Sequence, residues 1–246
     1  MSRKLRPCYL PNATLISPTA RRRVFEVPTA RFVEIRPALV LTNANLSGYV
    51  YPVYDEYDYY TGDAIFPGIN LTGANISSAD ARGARLQYAT LTGANPSNLI
   101  QANGHIAGLN LTSGASLIVR DYDGNPVATP LTGPLPIVVD EDLAIDATGT
   151  LRLEFDTGPW DSTISFAPGI PVARGGTLEL TFASEVNLAS QIGRTMDLFD
   201  WTSVTPTGTF TVSSPYTWNL SNLYTTGEVT LIALAAIPGD FNNNGG

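Results

Sequence analysis

A repeat of five residues runs through the middle of the chain: Ile69-Asn-Leu-Thr-Gly73, Ala74-Asn-Ile-Ser-Ser78, Ala79-Asp-Ala-Arg-Gly83, Ala84-Arg-Leu-Gln-Tyr88 and Ala89-Thr-Leu-Thr-Gly93. The third residue of each unit is aliphatic, and the first is alanine or isoleucine. A helix repeats every ~3.6 residues and a strand every ~2, so a period of five requires a turn in every unit. We therefore predict a square β-solenoid with about four units per coil and coils stacked about 4.8 Å apart.

These units resemble the pentapeptide-repeat family, whose unit is Ala-(Asp/Asn)-Leu-x-x. The resemblance implies a right-handed quadrilateral β-solenoid and no catalytic chemistry. A further unit, Ala44-Asn-Leu-Ser-Gly48, stays in register, and Ile106 and Leu111 keep the phase beyond an interruption at 96–103. We expect the solenoid to span about residues 41–115, with residues 49–68 as an insertion.

That insertion is rich in tyrosine and acid, Tyr49-Val-Tyr-Pro-Val-Tyr-Asp-Glu-Tyr-Asp-Tyr-Tyr-Thr-Gly-Asp63. Tyrosine rings stack on sugars and carboxylates bind hard cations, so one interpretation is a ligand-binding loop. Its candidate residues are Tyr54, Asp55, Glu56, Tyr57, Asp58 and Asp63. The other interpretation is a lid that covers an open end or side of the solenoid and keeps its hydroxyl groups in water.

Beyond residue 115 the hydrophobic period changes to two. Thr150-Leu-Arg-Leu-Glu-Phe155 and Thr177-Leu-Glu-Leu-Thr-Phe182 alternate polar and apolar residues, which places the leucines and phenylalanines on one face of each strand. Glycine-rich turn signals separate these strands, and no long helical stripe is present. We predict an all-β C-terminal domain at 116–237, either an antiparallel β-sandwich or a widened, solenoid-like end.

Residues 140–237 also resemble the C-terminal β-domain of large secreted bacterial surface proteins, and the end of autotransporter-type passenger solenoids. The resemblance is carried by Gly193-Arg-Thr-Met-Asp-Leu-Phe-Asp-Trp201 and Tyr216-Thr-Trp-Asn-Leu-Ser-Asn-Leu-Tyr-Thr-Thr-Gly227. It implies an exported protein and says nothing about activity. We expect Phe199, Trp201, Trp218 and Tyr224 to pack in the core and at its edge rather than to form a sugar platform.

The last residues, 238–246, contain Asp240-Phe-Asn-Asn-Asn-Gly245, which resembles the opening of a type I dockerin calcium repeat. Asp240, Asn242 and Asn244 fall at positions 1, 3 and 5 of an EF-hand-type loop, and Gly245 falls at position 6. The later ligand positions of such a loop are not present in this chain. We therefore expect calcium to bind weakly or not at all, and we predict no other cofactor.

Charge divides the chain unevenly. Residues 1–40 hold eight basic and two acidic residues, a net charge of +6, whereas the remaining residues carry −14. We expect this N-terminal segment to be a weakly ordered tail, or a cap whose arginines dock on the acidic body. A third interpretation is a shifted reading frame upstream of Leu41, because no export signal or apolar run long enough to span a membrane is visible.

The composition offers few residues for a catalytic site. His105 is the only histidine and Cys8 the only cysteine, so a nucleophile and base pair has few options. Adjacent acids, such as those at 140–142, point to opposite faces of a strand, and the pair at 121 and 123 runs into a turn.

The function we expect is that of a non-catalytic extracellular or cell-surface module for structure or adhesion. Its partners would be polysaccharide or other surface proteins, and the acidic body disfavours nucleic acid. A carbohydrate-binding module or a β-solenoid polysaccharide enzyme is one alternative. A second is an acidic DNA-mimicking pentapeptide protein that acts on a topoisomerase, although about two coils make a short rod.

Overall fold

The computed structural model describes the backbone strands 49–54 and 60–66, and residues 68–122, 124 and 133–234. Within these ranges the chain forms fourteen strands and one short 3-10 helix, Leu188–Gln191. The strands are β1 Tyr49–Tyr54, β2 Tyr60–Phe66, β3 His105–Leu111, β4 Ser116–Arg120, β5 Ile137–Ile145, β6 Thr150–Phe155, β7 Ile164–Phe166, β8 Val172–Arg174, β9 Thr177–Phe182, β10 Thr195–Asp197, β11 Thr207–Gly208, β12 Thr211–Ser213, β13 Thr217–Asn219 and β14 Glu228–Ala233. The predicted all-β fold is confirmed.

Each five-residue unit makes one β-turn. The Ala74 nitrogen donates to the Leu71 carbonyl at 2.9 Å, and the same bond recurs in every unit as far as Gly104 and Gln101. In the six turns up to the one that ends at Leu99, the residue before the donor adopts the left-handed conformation that the third position of a type II turn requires. These left-handed residues are Gly73, Ser78, Gly83, Tyr88, Gly93 and Asn98.

The turns stack into a narrow solenoid of two coils. Parallel bridges join Asn70 to Thr90, Asn75 to Asn95 and Asp80 to Ile100, so that one coil takes twenty residues, or four units. This pairing confirms the square solenoid that the period of five predicts.

From β3 onward the solenoid is wider. One sheet has the order β11-β8-β5-β3, with β7 also on β5, and the other has the order β12-β9-β6-β4. Every pairing in both sheets is parallel. In the second sheet, Ser116 pairs with Thr150, Thr150 with Thr177 and Thr177 with Thr211, which gives rungs of 34, 27 and 34 residues.

The antiparallel sandwich is therefore wrong, and the solenoid-like alternative is the correct one. Alternation of period two shows which side chains face the core, but it is the same for strands of either direction. Direction depends on the connection between strands, and here each connection passes around the whole rung to return parallel.

The wide solenoid ends in an antiparallel sheet with the order β10-β14-β13. One hydrophobic cluster runs from Ile100, in the second narrow coil, through the wide rungs to Leu231 on β14. Stacked rings reinforce it, with Phe199 and Trp201 centroids 4.6 Å apart, and Phe182 and Trp218 centroids 6.0 Å apart. Phe199 and Trp201 are buried, and Trp218 and Tyr224 lie at the edge.

The insertion at 49–68 contains a β-hairpin, in which β1 pairs antiparallel with β2. Its tip, residues 55–59, lies outside the described residues, as do residues 1–48 and 235–246. The expectations for the basic N-terminal segment and the calcium-like loop fall on those ranges and stay predictions.

Candidate functional site

The narrow coils meet the wide rungs at a junction near residue 105. A coil of twenty residues cannot cover a rung of about 30, so part of the first wide rung has no coil stacked on it. Asn98 bridges the step. Its side chain donates to the Asn110 carbonyl at 2.9 Å and accepts from the Asn110 nitrogen at 2.6 Å, so that both backbone groups of Asn110 have a partner.

A buried arginine also links the narrow coils to the wide rungs at this junction. Arg82 is fully buried and pairs with Asp80 at 2.6 Å. Its guanidinium also donates to Ser162 Oγ at 2.7 Å and to the Arg120 carbonyl at 2.8 Å. These bonds use the charge of Arg82 to tie the first narrow coil to the wide rungs.

A cleft of about 740 Å³ opens at this junction. Its walls include Leu86, Leu91 and Pro96, which occupy positions that face the solenoid axis, and Leu99 beside them. Leu91 is 40% exposed, so the axis is open to solvent here. None of the described lining residues is aromatic, so the cleft offers no platform for stacking a sugar ring.

Polar residues of β3 and β5 lie in and beside the cleft lining. His105 Nδ1 and Asp140 Oδ1 are 2.8 Å apart, and Asn110 donates to Asp142 at 3.3 Å. The register between β3 and β5 shifts at this point. Ile106 pairs with residue 139 and Gly108 with residue 142, so one residue of β3 lies opposite two residues of β5. The extra residue on β5 brings Glu141 to the cleft lining.

Glu141 differs from its neighbours because it has no hydrogen-bond or ion-pair partner in the described part of the chain. It is exposed and is the only charged side chain among the described lining residues. Gln101, also exposed at the cleft, likewise has no side-chain partner among the described residues.

Several carboxylates outside the cleft have a pKa that departs from the ordinary value. Burial raises the pKa of Asp121, and the nearby charges of Asp156 and Asp161 raise it further. Burial also raises the pKa of Asp197. The hydroxyl of Thr148 and backbone N–H groups, including that of Ser113, lower the pKa of Asp146 to about 2.

Most of the residues proposed from sequence for ligand binding lie outside the described residues. Tyr54 ends β1 and Asp63 lies in β2, whereas Asp55, Glu56, Tyr57 and Asp58 lie outside the described residues. Asp240, Asn242 and Asn244 also lie outside them, so both sites stay predictions.

Sequence reasoning missed Arg82, Asn98 and Glu141 as functional or structural residues. Arg82 follows the inward position of its unit, where an outward, solvated side chain is the ordinary expectation, and only the fold shows what covers it. Asn98 carries a detectable signal, because it falls at the left-handed turn position and asparagine tolerates that conformation.

The described residues contain no group of three or more His, Cys, Asp or Glu side chains placed to hold a metal ion. No helix among them is long and apolar enough to cross a membrane.

Comparison with known proteins supports the repeat. Residues 63–95 match the family described as pentapeptide repeats, in 8 copies. This match supports the pentapeptide-repeat interpretation of this part of the chain. Pentapeptide-repeat proteins are a non-enzymatic repeat family. No curated protein and no solved structure matches the chain. The resemblance of residues 140–237 to secreted surface domains and that of the tail to dockerin have no support from these comparisons.

Proposed function

We propose that the chain is a non-catalytic structural module, in which the pentapeptide coils and the wide solenoid form one rigid spacer that ends in a cap. The observation that carries this proposal is the parallel pairing within the narrow coils and within the wide rungs as far as β12, with the side chains of Arg82 and Asn98 joining the two parts. Each rung is hydrogen-bonded to and packed against the next one, and such stacking suits a load-bearing or spacing role.

The outer faces of the wide sheets support this role. Arg120 pairs with Glu154 at 2.9 Å and Arg152 with Glu179 at 2.8 Å, so these charges are matched across neighbouring strands. Such pairs solubilise and align the strands, at up to about 1 kcal/mol each. His105 is committed to Asp140 and has no serine or cysteine partner among the described residues.

The place we propose for this module is the outside of the cell, with polysaccharide or other surface proteins as its partners. Its composition supports a soluble surface, because acids outnumber bases by 22 to 14 and the net charge keeps molecules apart. The pentapeptide coils do not favour the DNA-mimic alternative. Between residues 68 and 104 they carry one acid, Asp80, against Arg82 and Arg85, and so lack the negative rod that mimicry of DNA requires.

The test of the structural role is turnover. The purified full-length chain is incubated with a panel of plant, algal and bacterial polysaccharides, and reducing ends are measured over days. We expect no release above a heat-denatured control. Release that a His105→Ala or Asp140→Asn variant abolishes would identify an enzyme and overturn the proposal.

The test of location uses cells that naturally produce the protein. Intact cells are treated with a protease too large to enter them, and an antibody against the folded body follows the band. We expect the protein at the surface or in the medium, where added protease or medium exchange removes it. Retention of the full signal inside intact cells would contradict the extracellular role.

A further inference from the structure

The cleft at the junction has the size of a small-molecule site, and its lining contains both apolar and polar side chains. Its volume of about 740 Å³ lies within the usual range of ligand pockets, about 300–1,000 Å³. Its lining includes the aliphatic side chains of Leu86, Leu91 and Pro96 and the polar side chains of Gln101 and Glu141. A ligand that fills it therefore needs an apolar body and a polar end.

The charge of that polar end follows from Glu141. The acids on either side of it are engaged, since Asp140 contacts His105 and Asp142 accepts from Asn110. Glu141 alone has no cation or donor within the described part of the chain. A positively charged group on the ligand would gain a partner there, whereas an anion would be repelled.

The shape of the cation follows from the neighbouring groups. A guanidinium is best held by a bidentate carboxylate and an aromatic face, and the described lining has no aromatic residue. An ammonium is a compact donor of three hydrogen bonds, which the Glu141 carboxylate and the Gln101 amide oxygen are able to accept. Aliphatic walls match an unbranched methylene chain behind it.

We propose that the junction cleft binds linear aliphatic ammonium ions, with the methylene chain against Leu86 and Leu91 and the ammonium at Glu141. This binding function is separate from the structural role of the module and does not depend on it. A polyamine and the lysine side chain of a partner polypeptide share this chemistry.

The probe is n-pentylammonium, compared with 1-pentanol as the uncharged analogue of equal length. Binding to the full-length chain is followed by saturation-transfer NMR and by shifts of labelled leucine methyl groups at neutral pH. We expect weak, saturable binding of the ammonium, and affinity for 1-pentanol about threefold to fivefold lower, as for one partly solvated ion pair. Added salt should weaken the binding of the ammonium and leave the alcohol unchanged.

Two variants locate the site. Glu141→Gln should lower ammonium affinity about threefold to fivefold and leave 1-pentanol unaffected, whereas Glu185→Gln, an exposed glutamate outside the cleft lining, should change neither. Leu91→Ala should weaken both ligands, and its circular dichroism spectrum and melting curve establish that it folds. A parallel titration with an acetylated, amidated lysine and with cadaverine separates the two sources of the chemistry.

Several outcomes would overturn the proposal. Equal binding of n-pentylammonium and 1-pentanol would make the cleft a nonspecific apolar cavity. Unchanged ammonium binding in the Glu141→Gln variant would place the cation elsewhere, and the absence of binding by either probe would leave the cleft without this function.

Discussion

Arg82 Nη1 donates a hydrogen bond to Ser162 Oγ at 2.7 Å, although the two residues are 80 positions apart in the chain. The same guanidinium pairs with Asp80 and lies 5.0 Å from the centroid of the Tyr122 ring. One side chain therefore joins a pentapeptide coil to two different wide rungs. Because every donor and charge in this network is buried, its loss should be felt by the whole molecule.

We expect Arg82→Met to lower the free energy of unfolding by about 3–5 kcal/mol, because it leaves Asp80 buried without its counter-ion. Urea unfolding followed by tryptophan fluorescence measures the loss. Arg85→Met, at an exposed arginine in the next unit, is the control and should change stability by no more than about 0.5 kcal/mol. The double variant Asp80→Asn, Arg82→Met should recover part of the loss, and equal losses for Arg82→Met and Arg85→Met would contradict a buried network.

Tyr88 is a tyrosine in a left-handed turn position, with φ of 59°. The equivalent positions one unit earlier and later are Gly83 and Gly93, which adopt this conformation without a penalty. Tyr88→Gly should therefore raise the free energy of unfolding by about 1 kcal/mol, since the left-handed form costs a non-glycine residue about 1–2 kcal/mol. Gln87→Gly, at the preceding position of the same turn, should lower it, and the same sign for both variants would argue against the strain.

Gly227 lies so close to the backbone of Phe199 that an added Cβ would be 1.7 Å from the Phe199 carbonyl oxygen. Its φ is +88°, so alanine there suffers both a clash and an unfavourable backbone conformation. We expect Gly227→Ala to lower the melting temperature strongly, with a loss of about 2 kcal/mol or more. Gly193 has the same φ and open space around it, so Gly193→Ala should cost only the conformational part, about 1 kcal/mol.

Asp146 stabilises the corner between the two sheets in its charged form. It accepts from Thr148 Oγ1 at 2.6 Å and, on the preceding rung, from the Ser113 nitrogen at 3.1 Å. Because folding lowers its pKa from 3.8 to about 2, its contribution is complete above about pH 4 and is lost as the pH falls through about 2.

The corresponding measurement is the melting temperature of the wild type and of Asp146→Asn between pH 7 and pH 2. The wild type should be the more stable at pH 7, and the difference should shrink towards pH 2. Thr148→Val, which removes the largest cause of the shift, should flatten the dependence. A difference that is constant with pH would exclude the charge as its source.

The sequence period accounts for much of this fold, for reasons visible at particular residues. Leu151, Leu153 and Phe155 are fully buried as their alternation predicts, and Ile106 and Leu111 are buried as the phase of five predicts. These patterns report which side a residue faces, and that depends only on local geometry.

Strand direction and the cleft were not predictable in the same way. Both depend on where the chain returns after a whole rung, which the residues of one strand do not encode. Glu141 lies at the cleft because β5 carries an extra residue opposite β3, and this bulge depends on the pairing of the two strands. Arg82 is similar, because its partners in the wide rungs lie 38 to 80 positions away in the sequence.

The stacking of the pentapeptide coils also limits how this chain can change in length. Each unit advances the chain by a quarter of a coil, since Asn70 bridges to Thr90 after four units. Removal of a single unit between Arg82 and His105 would turn the guanidinium about 90° away from Ser162. In that interval, only an insertion or deletion of a whole coil of twenty residues would keep the direction in which the Arg82 side chain points.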